Sequence, residues 1–268
     1  MASVTPKTVG SAALQGDIWS VRARDWASLM EGTAARLYQA ALDRLELHDG
    51  TTLLDAGCGS GLFCQLAAKR GARVYGLDAA PSLLEIARER VPSGEFEVGD
   101  LEEMPFEPAT FDVVTSFNSL EYAASALAAL REAKRTAKPA APVVVGTWGR
   151  AADCEAAGYI EALGSMLPPS QLGAPGPFAL SGPGTLDSLA RDAGLVPGET
   201  VDTLCEWRFP DLDTALRAML SAGPAVRAIR AVGERRVRSA VADAIKPYRT
   251  VRGHYQLENT FRFLVARA

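Results

Sequence analysis

Histidine and cysteine are scarce in this sequence: two histidines, His48 and His254, and four cysteines, Cys58, Cys64, Cys154 and Cys205, none in a CxxC pair. That supply excludes a histidine-rich metal centre and offers neither zinc-ligand spacing nor a disulfide framework, so no metal is expected. The cysteines read as small apolar fillers in a reducing compartment. No stretch approaches the roughly 20 apolar residues of a membrane helix. The opening Met1-Ala2-Ser3-Val4-Thr5-Pro6-Lys7 lacks the apolar run of a signal peptide. The expectation is a cytoplasmic chain without a membrane partner. Stripes of interleaved aromatic and basic residues are also missing, so no nucleic-acid partner is expected.

What is present suits one large domain, or one domain with a small cap: 268 residues, 48% hydrophobic and 22% charged. The net charge of −4 is unevenly spread, with ten Lys/Arg against three Asp/Glu from Ala225 onward. Arg227, Arg230, Arg235, Arg236 and Arg238 fall between apolar Val226, Ile229, Val232, Val237 and Val241, the pattern of a solvated helix face. Such a basic tail also suits an anionic substrate or nucleic acid.

Trp19, Trp26, Leu29, Met30, Ala34, Leu37, Tyr38 and Leu42 recur at helical spacing and predict a helix over 17–46. Strands and helices then alternate with short connections. Strands are predicted at Thr51–Asp55, Arg73–Asp78, Glu95–Asp100, Phe111–Phe117 and Pro142–Thr147. The helices between them run from Leu62 to Arg70, from Pro81 to Arg90 and from Ser125 to Lys138. This alternation predicts an α/β, doubly wound, mostly parallel sheet with ligands at the carboxyl ends of its strands. Beyond Trp148 comes a Pro/Gly-rich loop through Pro168-Pro169, Pro175-Gly176-Pro177 and Gly182-Pro183-Gly184. A helix over Thr185–Ala193, a strand over Thr203–Phe209, a helical run over Asp211–Lys246 and a strand over Tyr255–Ala266 complete the reading. The implied organisation is a helical cap at 1–46, a ligand-binding core at 47–150 and a lid insert at 151–184. The C-terminal half of the sheet follows at 185–268, with a helical insert at 211–250.

The chemistry centres on Leu54-Asp55-Ala56-Gly57-Cys58-Gly59-Ser60-Gly61. A glycine-rich turn between a strand and a helix lets a ligand approach the backbone closely. A dinucleotide fingerprint starting at Gly57 would need Gly or Ala at position 62, which is Leu62, and no Gly-Lys-Ser/Thr follows. Asp78, at the end of the second strand, is placed to accept from both ribose hydroxyls. Asp100, at the end of the third, is placed to accept from an adenine amine. Asp55, beside the turn, suits an ammonium group and repels phosphate. A ribose, a purine amine and a cation together describe S-adenosylmethionine.

Residues 45 to 150 resemble the class I S-adenosylmethionine-dependent methyltransferases, most of all the small-molecule subgroup related to ubiquinone and menaquinone biosynthesis. The stretches that carry the resemblance are Leu53 to Gly61, Val74 to Asp78, Val98-Gly99-Asp100-Leu101 with Met104-Pro105-Phe106, and Phe111 to Phe117. The resemblance implies that Gly57, Gly59 and Gly61 lie against the methionine part of the cofactor. It also implies that Asp78 and the adjoining Ala79 hold the ribose, that Asp100 and Leu101 read the adenine, and that Phe117 lines the methyl-donor site. Asp17-Ile18-Trp19 with Ala23-Arg24-Asp25-Trp26 resembles an amino-terminal helix that closes over the cofactor, which puts Trp26 on its cover. Gly253 to Phe263 resembles the family's final antiparallel strand, so a Rossmann-like seven-stranded sheet with its last strand antiparallel and with helical cap inserts is implied. One departure is Pro139-Ala140-Ala141, where family members usually have Pro-Gly-Gly.

Methyl transfer from a sulfonium is an in-line displacement, so the protein's main task is to position two substrates in a dry pocket. A general base is needed only if the acceptor must lose a proton. Glu121, Tyr122 and His254 are candidates for it, and Trp148, Asn118 and Tyr255 for contacts with the acceptor. The reading is a monomeric or homodimeric enzyme that methylates an O, N or C atom of a small molecule of quinone-like or specialised metabolism and releases S-adenosylhomocysteine. Alternatives are a methyltransferase acting on RNA or protein, favoured by the basic tail, and a non-methylating S-adenosylmethionine-binding protein, since a fold does not fix its chemistry.

Overall fold

The computed structural model describes residues 10–167 and 176–268. Its strands are β1 (Thr52–Ala56), β2 (Arg73–Asp78), β3 (Glu95–Val98), β4 (Val113–Phe117), β5 (Pro142–Trp148), β6 (Val196–Phe209) and β7 (Tyr255–Arg267). They form one sheet of order β3-β2-β1-β4-β5-β7-β6. β1 to β5 pair in parallel, and β7 runs antiparallel to both β5 and β6. Six strands therefore share one direction and the last opposes them, as expected. The order reverses between β1 and β4, where an open α/β sheet leaves a crevice at the strands' carboxyl ends.

The helices are α1 (Ala12–Ser20), α2 (Ala23–Asp25), α3 (Ala35–Leu42), α4 (Leu62–Ala68), α5 (Pro81–Arg90), α6 (Ala126–Thr136), α7 (Ala157–Gly164), α8 (Thr185–Asp192), α9 (Leu212–Met219), α10 (Gly223–Val232) and α11 (Glu234–Ile245). Successive strand residues point to opposite faces, and here both faces are apolar. Leu53, Val74, Val144 and Phe263 join Leu37 of α3, Phe63 of α4 and Leu84 of α5 in one cluster. Leu54, Leu77, Val114 and Val143 join Leu130 of α6 and Leu186 of α8 in another. α9, α10 and α11 extend the first cluster through Leu216, Ala228 and Val237 over Trp207 and Leu257.

Two predicted helices are broken, each for a visible reason. The run over 17–46 stops at Ser20 and widens into a π-helical turn at Trp26–Met30. It then tightens into a 3-10 turn at Glu31–Ala34 before α3 begins. Glu31 is buried at that junction and hydrogen-bonded to the turn after β1, which the regular helix would not provide. The run over 211–246 is divided by Gly223-Pro224, which opens α10, and by Gly233 (φ +86°), which separates α10 from α11. β6 starts at Val196 rather than Thr203 because the long β7 offers it pairing partners as far as Arg267. Residues 1–9 of the amino-terminal cap, together with Pro168, Pro169 and Pro175 of the lid insert, lie outside the described residues. Among the described residues no helix is long and apolar enough to cross a membrane.

The turn before β5 shows the cost of its departure from Pro-Gly-Gly. Ala140 sits in the left-handed region (φ +61°), exposed, with its N–H donating to Ala268 O at 3.1 Å. That conformation costs a residue with a Cβ roughly 1–2 kcal/mol, against about 0.4–1 kcal/mol of extra unfolded-state entropy for glycine. Ala140→Gly is therefore expected to stabilise the fold by about 0.5 kcal/mol, read as a higher denaturant midpoint at unchanged slope. A lower midpoint would contradict this.

Candidate functional site

A cavity of about 760 Å³ lies at the carboxyl ends of β1, β2, β4 and β5, within the size range of small-ligand sites. One end is walled by Gly57, Gly59, Asp78, Ala79, Asp100, Leu101 and Phe117. Trp19 and Trp26, in edge contact at 4.8 Å, lie over it.

The turn between β1 and α4 is held by two carboxylates. Asp78 accepts from Gly59 N–H at 2.8 Å with one oxygen and from Ala80 N–H at 2.9 Å with the other. Each oxygen keeps a lone pair for a ligand hydroxyl. Burial raises the Asp78 pKa, and those N–H groups oppose the rise. Glu31 accepts from Ser60 N–H (3.1 Å), Ser60 Oγ (2.6 Å) and Leu62 N–H (3.5 Å), and is paired with Arg90. Arg90 also donates to Ser60 O at 3.0 Å and Ala27 O at 2.7 Å. In dinucleotide enzymes a pyrophosphate takes the N–H groups where such a turn enters its helix. Here the chain's own carboxylate takes them and would repel a phosphate. Gly57 (φ +81°) has no room for a side chain, since a Cβ would lie 2.4 Å from Ser119 Cβ.

Asp100 accepts from Glu102 N–H at 2.9 Å and Ala12 N–H at 3.4 Å, so the start of α1 rests on it. Gln15 of α1 fastens the same helix farther along, donating to Tyr122 O at 3.1 Å. Phe117 packs against Phe63 (4.6 Å) and Tyr38 (5.2 Å). Gly146 opposite makes space for that ring, because a Cβ there would come within 2.3 Å of it. Asn118 follows in the left-handed region (φ +49°) and donates its N–H to Gly146 O at 2.8 Å. Its side chain lines the cavity.

The other end of the cavity is aromatic. Trp148 packs against Phe261 (4.5 Å), Phe178 (5.4 Å) and Trp207 (5.6 Å), and Tyr159 and Leu163 of α7 join the same wall. Tyr122 also faces the cavity, 5.6 Å from Trp19, and burial holds its phenol well above the ordinary pKa.

Five of the expected site residues are not brought to this wall. Asp55 is buried behind the turn, accepting from Thr115 Oγ1 at 2.8 Å and Cys64 Sγ at 3.9 Å. Burial pushes its pKa up to about 7. Its alternation in β1 puts it on the side of Leu53 and α4, and it is not among the residues that line the cavity. Gly61 (φ +80°) serves helix packing, with a Cβ there only 2.8 Å from Ala87 Cβ. Glu121 is buried next to the wall, where it accepts a hydrogen bond from Thr147 Oγ1 at 3.4 Å. His254 and Tyr255 line a separate hollow with Arg208 and Arg252. β7 pairs with β5 only from Phe261 onward, so the β6–β7 ribbon carries its tip past the cavity. Among the described residues, no group of three or more His, Cys, Asp or Glu could hold a metal.

Glu31, Trp207, Phe261 and Arg227 line the cavity and were not singled out as site residues from the sequence. Only Glu31 had a local signal: a lone acid in the apolar stripe it shares with Ala34, Tyr38 and Leu42.

Burial without a cationic partner pushes the Glu121 pKa from 4.5 up to about 8. The folded chain then keeps a proton that the unfolded chain has lost above its ordinary pKa. This group's contribution to stability is complete at low pH and is lost as pH rises toward 8, by at most about 1.4 kcal/mol per unit. Glu121→Gln is expected to gain stability relative to the unsubstituted chain as pH is raised from 5 to 8, measured by urea unfolding. A constant difference across that range would show that Glu121 is ionised in the fold.

A family model described as "Methyltransferase domain" matches residues 54–145. A malonyl-acyl-carrier-protein O-methyltransferase of Serratia marcescens is 36% identical over 117 residues, 44% of this chain and 43% of that protein. A ubiquinone biosynthesis O-methyltransferase of Xanthomonas campestris is 34% identical over 106 residues, 38% of this chain and 44% of that protein. The matches thus span less than half the length of these two relatives. Among solved structures, a cyclase superposes with a TM-score of 0.58 at 20% identity, covering 87% of this chain and 81% of its own. A phosphoethanolamine N-methyltransferase of Haemonchus contortus, solved with S-adenosylhomocysteine, gives 0.55 at 18% identity, covering 86% of this chain and 52% of its own.

Proposed function

From a chain that belongs to the class I S-adenosylmethionine-dependent methyltransferases, we propose an enzyme that methylates a small-molecule acceptor held against its aromatic wall. The observation that carries this reading is one cavity with two unlike ends: the carboxylates Asp78 and Asp100 at one, Trp148, Trp207 and Phe261 at the other. When bound, S-adenosylmethionine supplies a methyl group already activated by its sulfonium.

The rest is done by the chain. Asp78, oriented by Gly59 and Ala80, accepts from the ribose hydroxyls. Asp100 and Leu101 take the adenine, and Gly57, Gly59, Phe117 and Trp26 enclose the remainder of the cofactor. α1, α7 and α10 cover the cavity and exclude water, while Trp148, Asn118 and Tyr122 orient the acceptor for in-line attack. Glu121 is protonated at neutral pH and lies off the wall, and Tyr122 holds its proton firmly. Both facts support catalysis by positioning over catalysis by a side-chain base. The two curated relatives are named O-methyltransferases, which supports oxygen as the acceptor atom. In a second reading the same cavity binds the cofactor without spending its methyl group: a protein named as a cyclase shares the fold, and a fold does not fix its chemistry.

Asp78→Ala is expected to abolish S-adenosylhomocysteine binding by calorimetry while the circular dichroism of the fold is retained. Freeing the Gly59 and Ala80 N–H groups costs about 1–3 kcal/mol of stability besides. Undiminished affinity in this variant would overturn the assignment. Formation of S-adenosylhomocysteine from S-adenosylmethionine and an acceptor mixture, followed by mass spectrometry, separates the two readings. Tight binding with no turnover of any acceptor would favour the second.

A further inference from the structure

Arg227 is the one cationic side chain among the described residues that line the cavity. We propose that Arg227 binds an anionic group of the methyl acceptor, which makes that acceptor an amphipathic anion: an aromatic or apolar body bearing a carboxylate or a phosphate. The proposal rests on the methyl-donor assignment above and narrows its substrate.

Its position follows from the helix. Arg227 lies one turn along α10 from both Gly223 (i+4) and Pro224 (i+3). Gly223 lies against Trp19, where a Cβ would come 2.6 Å from the indole Nε1, and Pro224 and Arg227 reach the cavity. α10 packs between α1 and α7, and α7 supplies Tyr159 and Leu163 to the aromatic wall. Arg227 therefore stands where the cover over the cofactor end meets the acceptor end.

It is half-buried without a partner, whereas Arg235 and Arg236 of α11, which also have none among the described residues, are exposed. Arg230 on the same helix is paired with Asp17, Arg238 on α11 with Asp213, and Glu234 with Arg22. Half-buried Arg227 has no hydrogen bond or ion pair with any described residue, and neither 1–9 nor 168–175 contains an acid. The carboxylates of the cavity wall are already engaged: Glu31 by Arg90 and Ser60, Asp78 by Gly59 and Ala80, Asp100 by Glu102 and Ala12. A guanidinium beside an aromatic, poorly solvated wall attracts an anion more strongly than one in open water. The apolar far wall at Trp148, Trp207 and Phe261 calls for an apolar body on the same molecule.

The test uses the full chain saturated with S-adenosylhomocysteine and three probes of one shape: naphthoate, naphthyl phosphate and the neutral naphthalenemethanol. Binding is read by quenching of tryptophan fluorescence. At least one anion is expected to bind about tenfold more tightly than the alcohol, the size of one charge-assisted hydrogen bond; the preferred anion separates a carboxylate acceptor from a phosphate one. Arg227→Gln should erase the preference, Arg227→Lys should keep part of it, and S-adenosylhomocysteine affinity should be the same in all three chains. Equal binding of alcohol and anions, no binding of either anion, or a preference that survives in Arg227→Gln would overturn the proposal. So would weaker S-adenosylhomocysteine binding in Arg227→Gln, which would assign the guanidinium to the cofactor's carboxylate. A wild-type chain that fails to bind S-adenosylhomocysteine would remove the methyl-donor assignment itself.

Discussion

The clamp on the turn after β1 is the constraint from which the rest of the site follows. Asp78 holds the turn from the β2 side through Gly59 N–H, and Glu31 holds it from the amino-terminal segment through Ser60 and Leu62 N–H. With those donors satisfied by the chain's own carboxylates, the turn is a preorganised neutral-ligand surface with a negative rim. It suits a nucleoside with a cationic sulfur and disfavours a pyrophosphate. Glu31 reaches the turn from the junction where the helix that carries it widens at Trp26–Met30, and Trp26 of the same segment lines the cavity.

The second half of the site depends on the antiparallel strand. Placing β7 between β5 and β6 sets Phe261 beside Trp148 and aligns Trp207 with Leu257 one strand away. The aromatic wall is thus assembled from three strands distant in sequence and is sealed by α7. Apolar area of this kind favours ligands by water release but fixes no orientation; Asn118, Tyr122 and Arg227 are polar groups of the same cavity, and the proposed acceptor would be oriented by them.

How much of this was legible in the sequence varied with how local the determinant is. That Gly57, Gly59, Asp78 and Asp100 come to the cavity was legible because each is marked by its own strand end, and that Trp148, Asn118 and Tyr122 do because they end or follow strands whose direction was clear. Asp55 was expected at the ligand and lies buried behind the turn instead. It is buried against Thr115 and against Cys64 of α4, and nothing beside it in the sequence says that those neighbours separate it from the cavity. His254 and Tyr255 were misplaced because the overhang of the β6–β7 ribbon past β5 is a register property, invisible before the strands are paired. Glu31 meets Ser60 across 29 residues of chain and Arg227 reaches the cavity from α10, so both positions appear only once the helices are packed. At Ala140 the sequence departure did carry its consequence locally, as a left-handed alanine where glycine would be unstrained.

The central claim is that the clamped turn and the two strand-end acids cradle the nucleoside of S-adenosylmethionine. A crystal structure of the chain with S-adenosylhomocysteine tests it most directly. The ribose hydroxyls should lie within hydrogen-bond distance of the Asp78 carboxylate, the adenine beside Asp100 and Leu101, and the sulfur toward Phe117 and the aromatic wall. A nucleoside seated in the hollow at His254 and Tyr255, or one whose ribose leaves Asp78 without contact, would contradict it.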